Sequence, residues 1–254
     1  DTAFHQTMPR TAYRYALPEY LYREHGVRRY GFHGTSHYYV ANRAAAMLGK
    51  PLEHCNLITL HLGNGASATA IEQGESVDTS MGLSPLEGLV MGSRSGDIDP
   101  AIVFHLERSA DMTSDDVESM LKRKSGLLDL CGDMDLREVG RRANEGDVDA
   151  VLALDVYGYR IKKYVGAYFA VLGALDAIVF TGGFGENQPD IRRRSVDGLE
   201  RLGIALDDDL NKRADPGTGP SPIHSTSSEV SILVIATNEE LEIARQVRQV
   251  VVAG

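Results

Sequence analysis

The spacing of apolar residues changes period several times along this chain, and each change marks a predicted element. Residues 36–48, SHYYVANRAAAML, carry Val40, Ala44 and Met47 at i, i+4, i+7 spacing. Thr35 or Ser36 is available as N-cap and Gly49 as a stop, so the segment predicts a helix. The period then falls to two. Residues 56–62, 66–72 and 75–78 alternate apolar and polar positions and are broken by Gly63-Asn64-Gly65 and Gln73-Gly74, the pattern of a three-stranded antiparallel meander. Helical spacing resumes after Asp99-Pro100, with Asp99 as cap and Pro100 in the first turn, and recurs to about residue 147. Residues 148–173 read as one long helix, followed at once by the short apolar strand DAIVFTGG at 176–183. A second helix-then-strand pair follows: IRRRSVDGLERLG at 191–203, a Pro/Gly/Ser-rich loop at 215–228, the strand VSILVIA at 230–236, and a last helix from Glu239. A meander followed by strand and helix in alternation predicts an α/β fold, a mixed sheet flanked by helices with a helical insertion over about 100–147.

Composition narrows the function. Hydrophobic residues make up 43% and charged residues 24% of 254, ordinary for a globular α/β chain and outside the disordered class. No run reaches the ~18–20 apolar residues of a membrane span. The opening DTAFHQTMPR has neither a basic nor an apolar leader region, so a cytoplasmic protein without membrane partners is expected. A net charge of −10 repels nucleic acid, so any phosphate ligand has to be held by a local basic pocket, which argues for a small molecule. Cys55 and Cys131 have no metal-ligand or Cys-x-x-Cys spacing and fit a reduced intracellular chain; neither is assigned a role.

Candidate chemistry sits in Gly-rich turns. No G-x-x-x-x-G-K-[ST] loop exists, since Gly49-Lys50 runs into Pro51. In LHLGNGAS (60–67), Gly63 and Gly65 let backbone amides approach an anion and Asn64 adds a side-chain donor. Taken alone, the same Asn-Gly is the commonest type I′ hairpin signal. TGGFGEN (181–187) follows a strand, placing Gly182, Gly183 and Gly185 in a loop at its C-terminal end, where open α/β sheets bind ligands; singly it is an ordinary strand-to-helix turn. Arg94, between Ser93 and Ser95 in MGSRSGDIDP (91–100), offers a planar fork for phosphoryl oxygens, against the plainer reading of a surface arginine paired with Asp97 or Asp99. His33 and His37 have i, i+4 spacing, but the helix is expected to start between them and no third ligand follows, so a zinc site is rejected. At the far end Thr237 and Glu240 fit a capping box, which leaves Glu239 without a structural duty.

These stretches, with DTAFHQTMP at 1–9, RYGFHGTSH at 29–37 and ATNEELEIA at 236–244, resemble the acetate kinase family along the whole chain. The resemblance implies a ribonuclease-H-like half of the actin, sugar-kinase and Hsp70 class. It also implies phosphoryl transfer from ATP to acetate, giving acetyl phosphate and ADP by direct in-line attack. Asp1, His33 and Arg94 are then the catalytic positions. His61, Gly63, Asn64, Gly65, Asp135, Leu136, Arg137, Gly182, Gly183, Phe184, Gly185, Glu186 and Asn187 are the nucleotide-binding ones. Glu239 stands near Mg²⁺, a hard-oxygen arrangement suited to that ion. DMDLRE (133–138), which holds Asp135 to Arg137, reads from its residues alone as a polar helix start. A homodimer is expected from the family only. His5 and His37 receive no role.

A family motif at residue 1, without an initiating Met, points to a fragment whose upstream domain would complete the acyl pocket. Residues 1–50 would then be an interdomain, active-site segment and 51–254 the nucleotide-binding domain. A propionate or butyrate kinase is the nearest alternative activity. A nucleotide-gated binding module is the alternative from another class; it would need no Asp1, His33 and Arg94 constellation.

Overall fold

A computed structural model describes residues 1–253. Six strands form one mixed sheet: β1 (Leu57–Leu62), β2 (Ala66–Glu72), β3 (Glu75–Thr79), β4 (Ala177–Thr181), β5 (Ser221–Pro222) and β6 (Ser231–Val234), in the order β3-β2-β1-β4-β6-β5. The first three are the expected antiparallel meander, with a bulge between Ala70 and Ile71, and β1, β4 and β6 run parallel. This is the ribonuclease-H-like arrangement. β5 pairs antiparallel with β6 on the outer edge and lies inside the 215–228 stretch that the sequence reads as loop. Two backbone pairs were too short a pattern to detect.

Two small helices, α1 (Arg10–Tyr13) and α2 (Glu19–His25), precede α3 (Gly34–Leu48). The insertion holds α4 (Ala101–Ser109), α5 (Ser114–Arg123), α6 (Leu127–Cys131) and α7 (Leu136–Asn144), and Asp99 accepts the Ala101 N–H at the start of α4, as expected of a cap. The long helix α8 (Val148–Leu172) is capped by Asp147, whose carboxylate accepts the Asp149 and Ala150 N–H groups. The order ends with α9 (Gly182–Asn187), α10 (Pro189–Val196), α11 (Asp208–Arg213) and α12 (Glu239–Ala253).

Alternation along the strands separates two cores. Ile58, Leu60 and Leu62 of β1 and Ala66, Ala68 and Ala70 of β2 face α8, whose Ala150, Ala153, Leu154, Tyr157, Ile161 and Val165 recur every three or four residues and are buried. Each such large aliphatic side chain stabilises the fold by about 1.5–3 kcal/mol. On the opposite face Leu57, Ala177, Val179 and Leu233 pack under Val40, Ala41 and Ala44 of α3. The same face turns polar towards the C-terminal ends of the parallel strands, at Thr59, His61 and Ser67, and these too are covered by α3. That polar end is where the candidate site lies.

Neither Thr35 nor Ser36 caps α3. The helix begins one turn-step earlier, at Gly34, with His33 in the cap position at φ 58° and no side-chain cap. Asp1 supplies the acceptors instead: its Oδ2 takes the His33 N–H at 3.0 Å and its carbonyl takes the Gly34 N–H at 2.8 Å. At α12 the capping box is likewise displaced. Asn238 Oδ1 accepts the Leu241 N–H at 2.9 Å, while the Thr237 hydroxyl is engaged with Ser36. Asn and Thr are both competent caps, and the tertiary partner of Thr237 decided between them.

Candidate active site

The carboxyl ends of β1, β4 and β6 deliver three segments to one edge of the sheet: the Gly63–Gly65 turn, α9, and residues 235–238. They are tied to one another. Glu186 Oε1 accepts the N–H of Gly182 at 3.0 Å and of Thr237 at 3.2 Å, and Ser36 Oγ lies 2.8 Å from both His61 Nδ1 and Thr237 Oγ1.

TGGFGEN is not a loop leading to a helix; the chain turns from β4 straight into α9. Gly182 makes this possible. It has φ +77°, and a Cβ there would lie 2.7 Å from the Leu62 carbonyl oxygen, so only glycine fits between the two strand ends. Beneath α9, the buried Arg192 donates to the Gly185 and Glu186 carbonyls at 2.9 Å each and to Asn211. A guanidinium without a carboxylate partner is costly in such a place, and burial lowers its pKa to about 10.

The Gly63-Asn64-Gly65 turn closes the β1–β2 hairpin, but not in the type I′ conformation. A type I′ turn needs positive φ at both central residues, and none of these three has it. Neither backbone conformation nor steric space demands glycine at 65; what glycine leaves there is room. A Cβ built on it would stand 3.4 Å from His33 Nε2 and 3.6 Å from Arg94 Nη1, so the bare backbone leaves a gap framed by those two side chains. Asn64 is one residue back. It lines an open cleft of about 700 Å³ together with Asp135, Arg137, Gly183, Phe184 and Asn187. The single turn therefore joins the cleft to the His33–Arg94 gap.

Arg94 is held with its guanidinium half-buried. Nη1 donates to the Pro85 carbonyl at 3.0 Å, and its own loop is stapled to the start of α6 by the Ser125 N–H to Ser93 carbonyl and Leu127 N–H to Met91 carbonyl bonds. The pairing with Asp97 or Asp99 does not occur. Asp97 is engaged by the Tyr164 hydroxyl, Arg160 and the Gly88 N–H, and Asp99 caps α4. Arg94 makes no ion pair among the described residues, which leaves its charge for an anion.

His33 and His61 stack, with ring centroids 4.3 Å apart and planes 21° from parallel. Burial, and after it the charge of Arg94, pulls the His33 pKa down to about 4; burial, then His33, pulls His61 to about 3. Both rings are neutral at pH 7. His37 is fully buried behind them with its pKa driven far down, chiefly by burial, and His5, bonded to Ser76 and the Phe32 carbonyl, sits at about 4 for the same reason. Among the described residues no group of three or more His, Cys, Asp or Glu is arranged to hold a metal ion.

Not every predicted position reaches the cleft. The Leu136 side chain is buried in the main core, and Gly182, Gly185 and Glu186 hold α9 in place, whereas Asp135 lines the cleft while also capping α7 and pairing with Arg137. Glu239 opens α12, and its carboxylate makes no hydrogen bond among the described residues. Sequence reasoning missed Ser36, Thr59 and Ser67 and left His37 without a role, although Ser36 is bonded to His61, Ser67 to His33, and His37 to both Ser67 and Thr59. The only signal was a polar residue at every second strand position, which reads equally well as a solvent face.

Residues 1–245 match the model of the acetokinase family. The chain belongs to that family. This acetokinase chain is 60% identical over 246 residues to the acetate kinase of Clavibacter sepedonicus, covering 97% of itself and 62% of that protein. It is 56% identical over 251 residues to the acetate kinase of Syntrophobacter fumaroxidans, covering 99% of itself and 61% of the relative. Among solved structures, that of the Porphyromonas gingivalis acetate kinase superposes with a TM-score of 0.95 at 44% identity, over 99% of this chain and 63% of that one. A propionate kinase from Francisella tularensis gives 0.91 at 46% identity, over 96% and 62%. This acetokinase chain thus spans about three fifths of the length of the curated relatives it matches.

Proposed function

We propose that this chain is the nucleotide-binding part of an ATP-dependent acetate kinase. Its cleft takes the adenosine of ATP between Asp135–Arg137 and Gly183–Phe184, and the phosphates run past Asn64 towards Gly65. An acetate oxygen attacks the γ-phosphorus in line, the new C–O–P bond forms, and the bond to the β,γ-bridging oxygen breaks to release ADP. Arg94 and the neutral His33 donate hydrogen bonds to the equatorial oxygens, where phosphoryl transfer gains most from charge stabilisation. Asp1 holds the start of α3, and hence His33, by its two bonds there.

The observation that carries this reading is the Gly65 gap, because it sets a cation and a hydrogen-bond donor at the mouth of a nucleotide-sized cleft. A nucleotide-gated switch has no use for such a gap.

Mg²⁺ fits as an escort of ATP rather than as a resident ion. The unbonded Glu239 carboxylate and the remaining oxygen of Asp1 are hard donors, and Mg²⁺ commonly takes only one or two carboxylates plus phosphates and water. When bound it would neutralise phosphate charge. The full protein is a cytoplasmic homodimer in this reading, with residues 1–50 forming the interdomain segment. No helix among the described residues is long and apolar enough to cross a membrane.

The test is acyl hydroxamate formation from ATP and acetate, propionate or butyrate by the complete protein. Acetate is expected to give the highest kcat/KM. The second reading, a longer acyl chain, is favoured by the similarity to a propionate kinase and would be established by a preference for propionate. No acyl phosphate from any of the three, with ATP still bound, would replace both with the nucleotide-gated module. The 254-residue chain alone is expected to turn over little, and robust activity would contradict the need for an upstream domain.

A further inference from the structure

Behind His33 runs a continuous chain of buried hydrogen bonds. His33 Nδ1 lies 2.9 Å from Ser67 Oγ, which lies 2.8 Å from His37 Nε2, whose Nδ1 lies 2.7 Å from Thr59 Oγ1. Ser67, His37 and Thr59 are all fully enclosed. We propose that Ser67 and His37 are positioning residues: they hold His33 in the tautomer that carries its proton on Nε2, the atom facing Arg94, by a chain polarised from Thr59 to His33. The proposal rests on the phosphoryl-transfer reading for its purpose, though not for its geometry.

The polarity follows from counting protons. A neutral imidazole has one N–H and one lone pair, and a hydroxyl has one proton to give. If Thr59 donates to His37 Nδ1, then His37 Nε2–H donates to Ser67, the Ser67 O–H donates to His33 Nδ1, and His33 is left with Nε2–H. Each enclosed proton then has an acceptor. Reversing the chain leaves the Thr59 hydroxyl proton with none among the described residues. Letting both histidines donate to Ser67 strands the serine proton instead. A buried donor without an acceptor is the costlier fault. The competing influence is Arg94, beside which a lone pair on His33 Nε2 would be favourable. The two side chains form no hydrogen bond, however, and the Nε2 end of His33 is open whereas Thr59 is sealed.

The consequence concerns catalysis. A neutral imidazole stabilises phosphoryl charge only by donating its N–H, so His33 contributes only if that N–H points at the oxygens. Which nitrogen carries the proton is set by the bond at the other nitrogen. Ser67 makes that bond, and His37 fixes the direction in which Ser67 donates.

The test uses the complete protein with ¹⁵N-labelled histidine and correlations between ring carbon-bound protons and ring nitrogens. Acyl hydroxamate formation by the unaltered protein is measured first, so that a failure of the functional reading is seen separately. The tautomers are then read from the spectrum whatever the activity. Both His33 and His37 are expected as Nε2–H, and either one as Nδ1–H would overturn the proposal. In Ser67→Ala, the His33 Nδ1 signal should move to that of an unbonded lone pair. Its kcat should drop roughly 10- to 100-fold, the loss usual for an orienting partner, with KM for ATP within twofold. Ser67→Thr, which keeps the hydroxyl, should recover most of kcat. A Ser67→Ala protein that folds and keeps its kcat would remove the positioning role, and if that variant does not fold, the tautomers of the unaltered protein still decide the polarity.

Discussion

Replacing Gly65 by alanine probes the site with one methyl group. The added carbon would sit 3.4 Å from His33 Nε2 and 3.6 Å from Arg94 Nη1, which is ordinary van der Waals contact, and Gly65 has no positive φ to strain. Stability should therefore change by less than about 1 kcal/mol, within the range of benign Gly→Ala substitutions. Function should not survive as well. A phosphoryl oxygen that accepts from both side chains has to come within about 2.7–2.9 Å of each, into the space the methyl occupies. Losing two hydrogen bonds to charged oxygens, at about 1.5–3 kcal/mol each, raises the barrier by roughly 3–6 kcal/mol. That corresponds to a fall in kcat of about 10²- to 10⁴-fold. The assay is acyl hydroxamate formation by the complete protein, with kcat and KM for ATP measured alongside a thermal melt of the same sample. ATP binding should be nearly intact, because the cleft is lined from Asn64 outwards and not by Gly65. A Gly65→Ala protein whose kcat stays within threefold of the parent would refute the argument that the reacting phosphate lies in this gap.

Other substitutions separate the parts of the site. Arg94→Ala should reduce kcat by about a thousandfold while KM for ATP moves little, and an unchanged kcat would take Arg94 out of the mechanism. Gly182→Ala has to move the Leu62 carbonyl and adopt a φ of +77°, so a loss of about 1–3 kcal/mol in a urea melt is expected, against almost none for Gly65→Ala. Stability should also fall with acidity. Above pH ~6.5 the histidines are neutral in folded and unfolded chains alike. Between there and about 4, the unfolded chain takes up protons that buried His5 and His33 refuse, and His37 and His61 refuse them to lower pH still. Each contributes up to about 1.4 kcal/mol per pH unit over that window, so the four together could cost roughly 5 kcal/mol at pH 5.5. Urea midpoints that stay level from pH 7 to 5 would show that these histidines are not held neutral.

The sequence by itself determined the class of fold and the places where the site is built. Period-two alternation over 57–79, helical spacing over 148–172 and the punctuation between them are local properties, and the meander, α8 and the helical insertion follow from them. Gly-rich segments at 63–65 and 182–185 marked where backbone comes close to something, and a cation flanked by serines marked Arg94.

Tertiary structure decided what each of these is close to. The glycine at 65 is a hairpin residue in sequence and structure alike, and only the fold sets His33 and Arg94, 32 and 29 positions away, beside it. Likewise Thr59 and Ser67 are polar residues at outward strand positions, indistinguishable in sequence from a wetted face. Only the packing of α3 over that end of the sheet turns them into buried partners of His37 and His33. The competent caps Ser36 and Thr237 were passed over for the same reason. A cap is a local preference of about 1 kcal/mol, and a buried hydroxyl that finds a long-range partner outweighs it. Patterns of local period are written into neighbouring residues, whereas the gap at Gly65 and the chain behind His33 exist only where distant segments meet.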